Sequence, residues 1–196
     1  MKSNPNRGPE VAYTKQAILD ATEAIMREEG YAAVSSRRVA ERAGYKSKLV
    51  HNHFRSMDEL FLALFRRSEE AFLVSQARAL ASSHPLREIW NQWLTADTQL
   101  VVEFIALARH RQAIRDEIAR SNDRVRAVQT AVIEQAVERA GLDPARYPPD
   151  VLAFIMAAIS RTLVTEECLG ASAAHASVRV FVNLHLRLLE KTSAGR

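Results

Sequence analysis

The sequence predicts an all-α protein, and three observations carry that reading. Apolar residues recur three and four apart along almost the whole chain, the spacing of one helix face. No stretch alternates apolar and polar residues between turn signals, as a half-buried strand would. Glycines fall just past periodic segments (Gly30, Gly44, Gly141, Gly170), where a left-handed residue closes a helix. The expected architecture is a three-helix N-terminal head (residues 11–56) followed by a larger helical domain (residues 57–191), about nine helices in all. Residues 1–10 and 192–196, polar or small, read as flexible tails.

Helix one spans about residues 14–29, with Ala17, Ile18, Ala21, Ala24 and Ile25 on its apolar face. In helix two, Ser35 is placed to N-cap, Val39, Ala40 and Ala43 recur at helical spacing, and Gly44 stops the element. Helix three has one narrow seam, Val50 and Phe54. Ser56-Met57-Asp58-Glu59 has the form of a capping box and opens a long fourth helix from Met57 to about Leu80. Two short helices around a glycine turn form a helix-turn-helix over residues 35–54, the unit that sets its second helix into the DNA major groove.

Ser82-Ser83-His84-Pro85 breaks the pattern. Residues 86–109 are rich in large apolar groups and hold two helices divided near residues 96–98. A charged amphipathic helix covers about residues 111–140, and the prolines at 144, 148 and 149 mark a loop. Two helices close the chain, at about 150–169 and 174–190. The first is apolar on nearly all sides from Val151 to Val164, so it must be covered on more than one face.

Charge separates the head from the rest. Residues 1–55 hold ten Lys or Arg against six Asp or Glu, whereas residues 56–196 hold seventeen of each. Between Tyr31 and Arg55 stand Arg37, Arg38, Arg42, Lys46, Lys48 and Arg55 against Glu41 alone. A basic excess that coincides with a helix-turn-helix reads as a phosphate-binding surface.

The sequence also excludes classes. One cysteine, Cys168, forbids an internal disulfide and a multi-cysteine zinc site; in an apolar stretch, it is expected to be a buried small hydrophobe. No secretory n-region and h-region pattern opens the chain, and no apolar run reaches the about 18 residues of a membrane span. The expected location is the bacterial cytoplasm, at the nucleoid when bound to DNA, with no membrane partner. No Gly-rich phosphate loop, serine elbow or carboxylate–histidine ligand set is present. His51-Asn52-His53 has the letters of HNH nucleases, but that motif is not contiguous, and histidines two apart on a helix point to different sides. The expectation is no enzyme, no metal and no cofactor.

In order, helix one, Gly30, Ser35-Ser36-Arg37-Arg38-Val39-Ala40, Ala43-Gly44, His51-Asn52-His53-Phe54 and Ser56-Met57-Asp58-Glu59-Leu60 resemble the TetR family of bacterial one-component transcriptional regulators. The specific resemblance covers about residues 14–64. It implies a homodimer that binds a palindromic double-stranded DNA operator, as a rule as a repressor, and is released by a small-molecule effector. The departures are local. His51 stands where the family most often has Tyr, Lys46 where it has a capping Ser, Met57 where a Lys is frequent, and Leu49 where a small polar residue often faces a base.

Roles follow from these positions. Ser36 and Arg37 are expected at the phosphate backbone, where the start of helix two also offers free N–H groups. Ser47, Lys48 and His51 share the face opposite Val50 and Phe54 and are the candidates for base edges. Lys48 would donate to guanine and Leu49 would touch a thymine methyl. Lys46, His53 and Arg55 are expected at phosphates. The effector pocket is expected around Trp90, Trp93, Phe104, Val128 and Val132, and its unidentified ligand is expected to be mostly apolar. The dimer is expected to use Val151, Ile155, Ile159, Val178, Phe181, Val182, His185 and Leu189 in a four-helix bundle. The alternative reading is a helical ligand-binding or interaction module whose DNA-binding head is degenerate.

Overall fold

The computed structural model describes residues 7–95 and 98–191. Among them are nine α-helices and no strand: α1 (Arg7–Glu29), α2 (Ser36–Arg42), α3 (Ser47–His53), α4 (Met57–Leu80), α5 (Pro85–Thr95), α6 (Thr98–Ala108), α7 (Gln112–Arg139), α8 (Pro149–Cys168) and α9 (His175–Lys191). A 3-10 turn, Tyr31–Ala33, joins α1 to α2 and was not expected from the sequence. No helix among the described residues is long and apolar enough to cross a membrane.

The N-terminal tail expectation needs correction. Residues 7–10 lie in α1, which begins at Arg7 rather than near Thr14. Pro9 does not oppose this, because the first turn of a helix has no intrahelical partner for the N–H that proline lacks. Residues 1–6 and 192–196, the remainder of the two expected tails, lie outside the described residues.

The chain packs as two compact units. One contains the described residues up to Glu69 together with Gln99–Ile118, so it adds the first half of α4, α6 and the start of α7 to the three head helices. Its core joins Ile18, Ile25 and Met26 of α1 with Val39, Val50, Phe54, Leu60, Leu64, Phe104 and Ile114. Phe104 meets Phe65 edge-on at 5.2 Å, the arrangement an aromatic quadrupole favours.

The other unit contains Glu70–Thr98 and the described residues from Ala119 onward. Its core gathers Leu86 and Trp90 of α5, Ile133 and Val137 of α7, Ala153 and Leu163 of α8, and Val182 and Leu186 of α9. Glu190 ties α9 to the start of α5, accepting the Leu86 N–H at 3.0 Å and the Arg87 Nε at 2.7 Å. Cys168 is exposed, not buried as expected. The buried stripe of α8 ends with Leu163 and Val164, and the last turn runs past the core into the Gly170 bend.

Candidate nucleic-acid interface

The helix-turn-helix forms for the reasons its sequence gives. Ser35 is extended, and its Oγ accepts the Arg38 N–H at 3.3 Å, capping α2. At the other end the Tyr45 N–H reaches back to the Ala40 carbonyl at 2.8 Å and the Gly44 N–H to Glu41 at 3.2 Å. That closure needs the left-handed Gly44, whose φ is 74°. α3 has no side-chain cap, as Lys46 in place of a hydroxyl residue led one to expect. The capping box at α4 is half formed. Ser56 Oγ accepts the Glu59 N–H at 3.1 Å, but the Glu59 carboxylate takes the Arg55 N–H at 2.7 Å rather than that of Ser56.

Val50 and Phe54 are almost fully buried, which fastens α3 to the core by one edge. Its opposite face therefore looks outward. Lys48, His51 and Arg55 are exposed, as are Lys46 before the helix and Arg37 on α2; Ser36, Ser47, Leu49 and His53 are half-buried. One shallow recess brings Ser47 together with Arg37, Ala40, Glu41 and Tyr45. A second is lined by Gly44, Tyr45, Lys46, Lys48, Leu49 and Asn52. Tyr45 and Asn52 were missed by the sequence reading. The signals were present: Tyr45 directly follows the turn glycine, and Asn52 lies one turn beyond Lys48 on the same face.

The basic residues divide into two sets. Arg42 makes a two-pronged pair with Glu28 of α1 at 2.5 Å on each arm, and Arg38 pairs with Glu29. Hydrogen bonding from Arg42 holds the Glu28 carboxyl below its ordinary value, and the same bond raises the Arg42 guanidinium; the bond to Glu29 raises that of Arg38. These two arginines brace α2 against α1. Among the described residues, Arg37, Lys46, Lys48 and Arg55 form no ion pair with a carboxylate.

The expected effector residues divide between the two units. Trp90 is fully buried in the core of the second unit, with Trp93 and Val132 half-buried against it; Phe104 belongs to the core of the first unit, and Val128 is exposed. Spacing identifies an apolar face but not the neighbour that covers it. Among the described residues, four buried polar atoms of the second unit have no hydrogen-bond partner: Trp90 Nε1 on α5, Gln76 Oε1 on α4, Gln129 Nε2 on α7 and His175 Nδ1 on α9. Gln76 does reach α5 through its other amide atom, donating to Gln92 at 3.4 Å. Neither glutamine was singled out from sequence, because a glutamine within a helix ordinarily faces water.

The expected dimer set divides. Val151, Ile155, Phe181 and His185 face outward, and Phe181 packs its ring on His185 at 4.1 Å. Ile159, Val178 and Leu189 are half-buried against their own core. Val182 is a correction: it is only 7% exposed, inside the second unit. α9 has two apolar stripes, and Val178, Val182, Leu186 and Leu189 form the inward one. The outward stripe contains Val180, Phe181, Leu184 and Leu188; on α8, Phe154 is an exposed aromatic whose ring lies under the Arg126 guanidinium at 5.5 Å. Among the described residues, no three His, Cys, Asp or Glu side chains gather where a metal ion could sit.

Residues 18–64 match the family model of the bacterial regulatory proteins of the tetR family. No curated protein matches the sequence. Solved structures share the fold over most of the chain. A transcriptional regulator from Pseudomonas aeruginosa PAO1 is 20% identical, with a TM-score of 0.73 over 97% of this chain and 94% of its own. A TetR transcription regulator from Haloarcula marismortui is 20% identical, with a TM-score of 0.66 over 93% and 95%. The multidrug binding protein EbrR, solved with imidazole, is 25% identical, with a TM-score of 0.59 over 78% and 85%.

Proposed function

We infer that this chain, whose residues 18–64 match the tetR family model of bacterial regulatory proteins and whose fold resembles that of a solved TetR transcription regulator, is a homodimeric transcriptional repressor. It reads a palindromic operator with α3 of each protomer and releases it on binding a small effector. It works in the cytoplasm and catalyses no reaction. The observation that carries this reading is the outer face of α3. Lys48, His51 and Asn52 are exposed there, and Arg55 just past its end, while Arg38 and Arg42 are tied back to α1. Lys48 is the reader of base edges, and Ser36, Arg37, Lys46, His53 and Arg55 hold the backbone.

The dimer reading rests on Phe154, Val180, Phe181, Leu184 and Leu188, five large apolar residues exposed on α8 and α9. Patches of this kind mark interfaces. Two copies related by a two-fold axis would cover them and place two heads on half-sites about 34–36 Å apart, or a multiple of that. The effector reading rests on Trp90, Gln76 and Gln129. Buried polar atoms ordinarily find partners, and an uncharged ligand with an apolar body that reached one of them would supply a donor to Gln76 or an acceptor to Trp90 or Gln129. Such a ligand must prefer the DNA-incompetent arrangement, and DNA must weaken its binding by the same factor. Imidazole, bound by EbrR, is a reasonable first probe.

Selection of bound fragments from random and genomic DNA by the full-length protein tests the reading. A palindromic site with steep salt dependence is expected. Lys48→Ala should then weaken specific binding by about 1–3 kcal/mol. Arg55→Ala should weaken binding to all sequences alike and make the salt slope shallower by about one. If the parent selects no DNA at low salt, the degenerate-head alternative holds instead.

A further inference from the structure

The 3-10 turn between α1 and the helix-turn-helix is held from α6, seventy-two residues further along the chain. α1 ends when the Gly30 N–H bonds the Met26 carbonyl at 3.1 Å. Gly30 then takes φ 84° and ψ 164°, a conformation essentially reserved for glycine. The turn that follows makes its own bonds, Ala33 N–H to Gly30 and Val34 N–H to Tyr31. The Tyr31 N–H has no carbonyl within reach of that pattern. It donates instead to the Glu103 carboxylate, at 2.7 Å. An ionised acceptor makes this bond stronger than a neutral one.

Glu103 does not act alone. Gln99, one turn earlier on α6, donates its side-chain amide to the Arg27 carbonyl in the last turn of α1. His110, just past the end of α6, stacks on the Tyr31 ring with centroids 6.5 Å apart and planes 28° apart. Gln99, Glu103 and His110 are four and seven residues apart, the spacing of one helix stripe. Beyond them Arg111 bonds Asp58 at 2.7 Å, in the first turn of α4. One stripe of α6 thus meets the end of α1 and the start of the 3-10 turn, and the residue after it meets the start of α4. The helix-turn-helix lies between those two points in the chain.

We propose that Glu103 is a positioning residue for DNA recognition: by holding the Tyr31 N–H and the left-handed Gly30 corner it fixes the angle at which α2 and α3 meet the duplex. Glu103 touches no DNA. Its effect passes through the α1–α2 corner. This rests on the DNA-binding reading above.

The test measures affinity for the operator duplex selected by the parent, against a random duplex, across a salt series. Glu103→Ala should bind the operator roughly tenfold more weakly, within the usual range of coupling between sites, and lose little on the random duplex. Glu103→Gln should lose clearly less than Glu103→Ala, because its amide oxygen accepts the same N–H without the carboxylate's charge. Glu103→Asp, one methylene shorter, should behave like the alanine variant. Should Glu103→Ala fail to fold, the Asp and Gln pair decides, with Tyr31 amide exchange as the local readout: slow in the parent and in Glu103→Gln, fast in Glu103→Asp. The proposal is overturned if Glu103→Ala binds the operator as the parent does. It is equally overturned if Glu103→Asp is parent-like while Glu103→Gln is weak, since charge rather than the hydrogen bond would then be the cause. A parent that selects no DNA overturns the regulator reading itself, and this role with it.

Discussion

Gly30→Ala is the sharpest probe of how the head is built. At φ 84° and ψ 164° an L side chain is strained, by about 1–3 kcal/mol. The added Cβ would also lie 3.3 Å from Glu103 Oε2, tighter than ordinary contact. The carboxylate can retreat only by lengthening its bond to the Tyr31 N–H, and bonds to charged groups contribute about 1.5–3 kcal/mol. With that bond partly kept, the substitution should cost about 2–4 kcal/mol in total. For a chain of this size that is a fall in Tm of roughly 5–15 °C. Gly44→Ala is the matched control: its φ is 74°, but nothing lies within 4 Å of the new Cβ, so it carries backbone strain alone, about 1–2 kcal/mol. Thermal unfolding followed by circular dichroism and by indole fluorescence separates local from global loss, because Trp90 and Trp93 both belong to the second unit. Combining Gly30→Ala with Glu103→Gln should be non-additive by at least about 0.5 kcal/mol, since the two sites touch. The reasoning fails if Gly30→Ala costs no more than Gly44→Ala, or if the double variant is strictly additive.

Glu28→Gln should free Arg42 for phosphate, tightening binding to random duplex and steepening the salt slope by up to about one, as read by fluorescence anisotropy at several salt concentrations. The same pair sets a pH dependence. The Glu28 carboxyl is held below its ordinary 4.5 by the hydrogen bond from Arg42, so the pair's contribution is complete above that value and is lost as pH falls through the lowered one. The difference in stability between parent and Glu28→Gln should therefore stay level from pH 8 to 5 and close only in stronger acid; a difference that changes near neutrality would refute the assignment. Phe181→Glu combined with Phe154→Glu should give a folded monomer in analytical ultracentrifugation, whereas Val182→Glu should unfold the second unit because Val182 lies in its core. A double variant that still sediments as a folded dimer would remove α8 and α9 from the interface.

The parts of the fold that depend on neighbours in sequence were legible, and those that depend on the covering partner were not. Ser35, Gly44 and the Val50–Phe54 seam each act within a few residues, and their caps, turn and burial match the sequence reading. Trp90 and Phe104 look alike in sequence, two large apolar groups in one apolar block. They belong to different cores because the block forms two helices, α5 and α6, and the second packs with the head. Val182 and Phe181 are adjacent, and only the packing of α9 on α5 and α8 determines which of them faces inward.

Charge makes the same point for the site. Counting residues located the excess of cations in the first quarter of the chain but treated all six between Tyr31 and Arg55 as equivalent. In the fold, Glu28 and Glu29, adjacent on the last turn of α1, take up Arg42 and Arg38, which lie four apart on one face of α2. That spacing is a helix-face relation and could have been read from the sequence, but its partners on α1 could not, because the Gly30 corner between them sets the angle of approach. The corner is held by Glu103, from a helix that sequence order assigns to the effector domain. Which cations remain free for DNA is therefore decided by the α1–α2 angle, and a residue outside the helix-turn-helix helps to fix that angle.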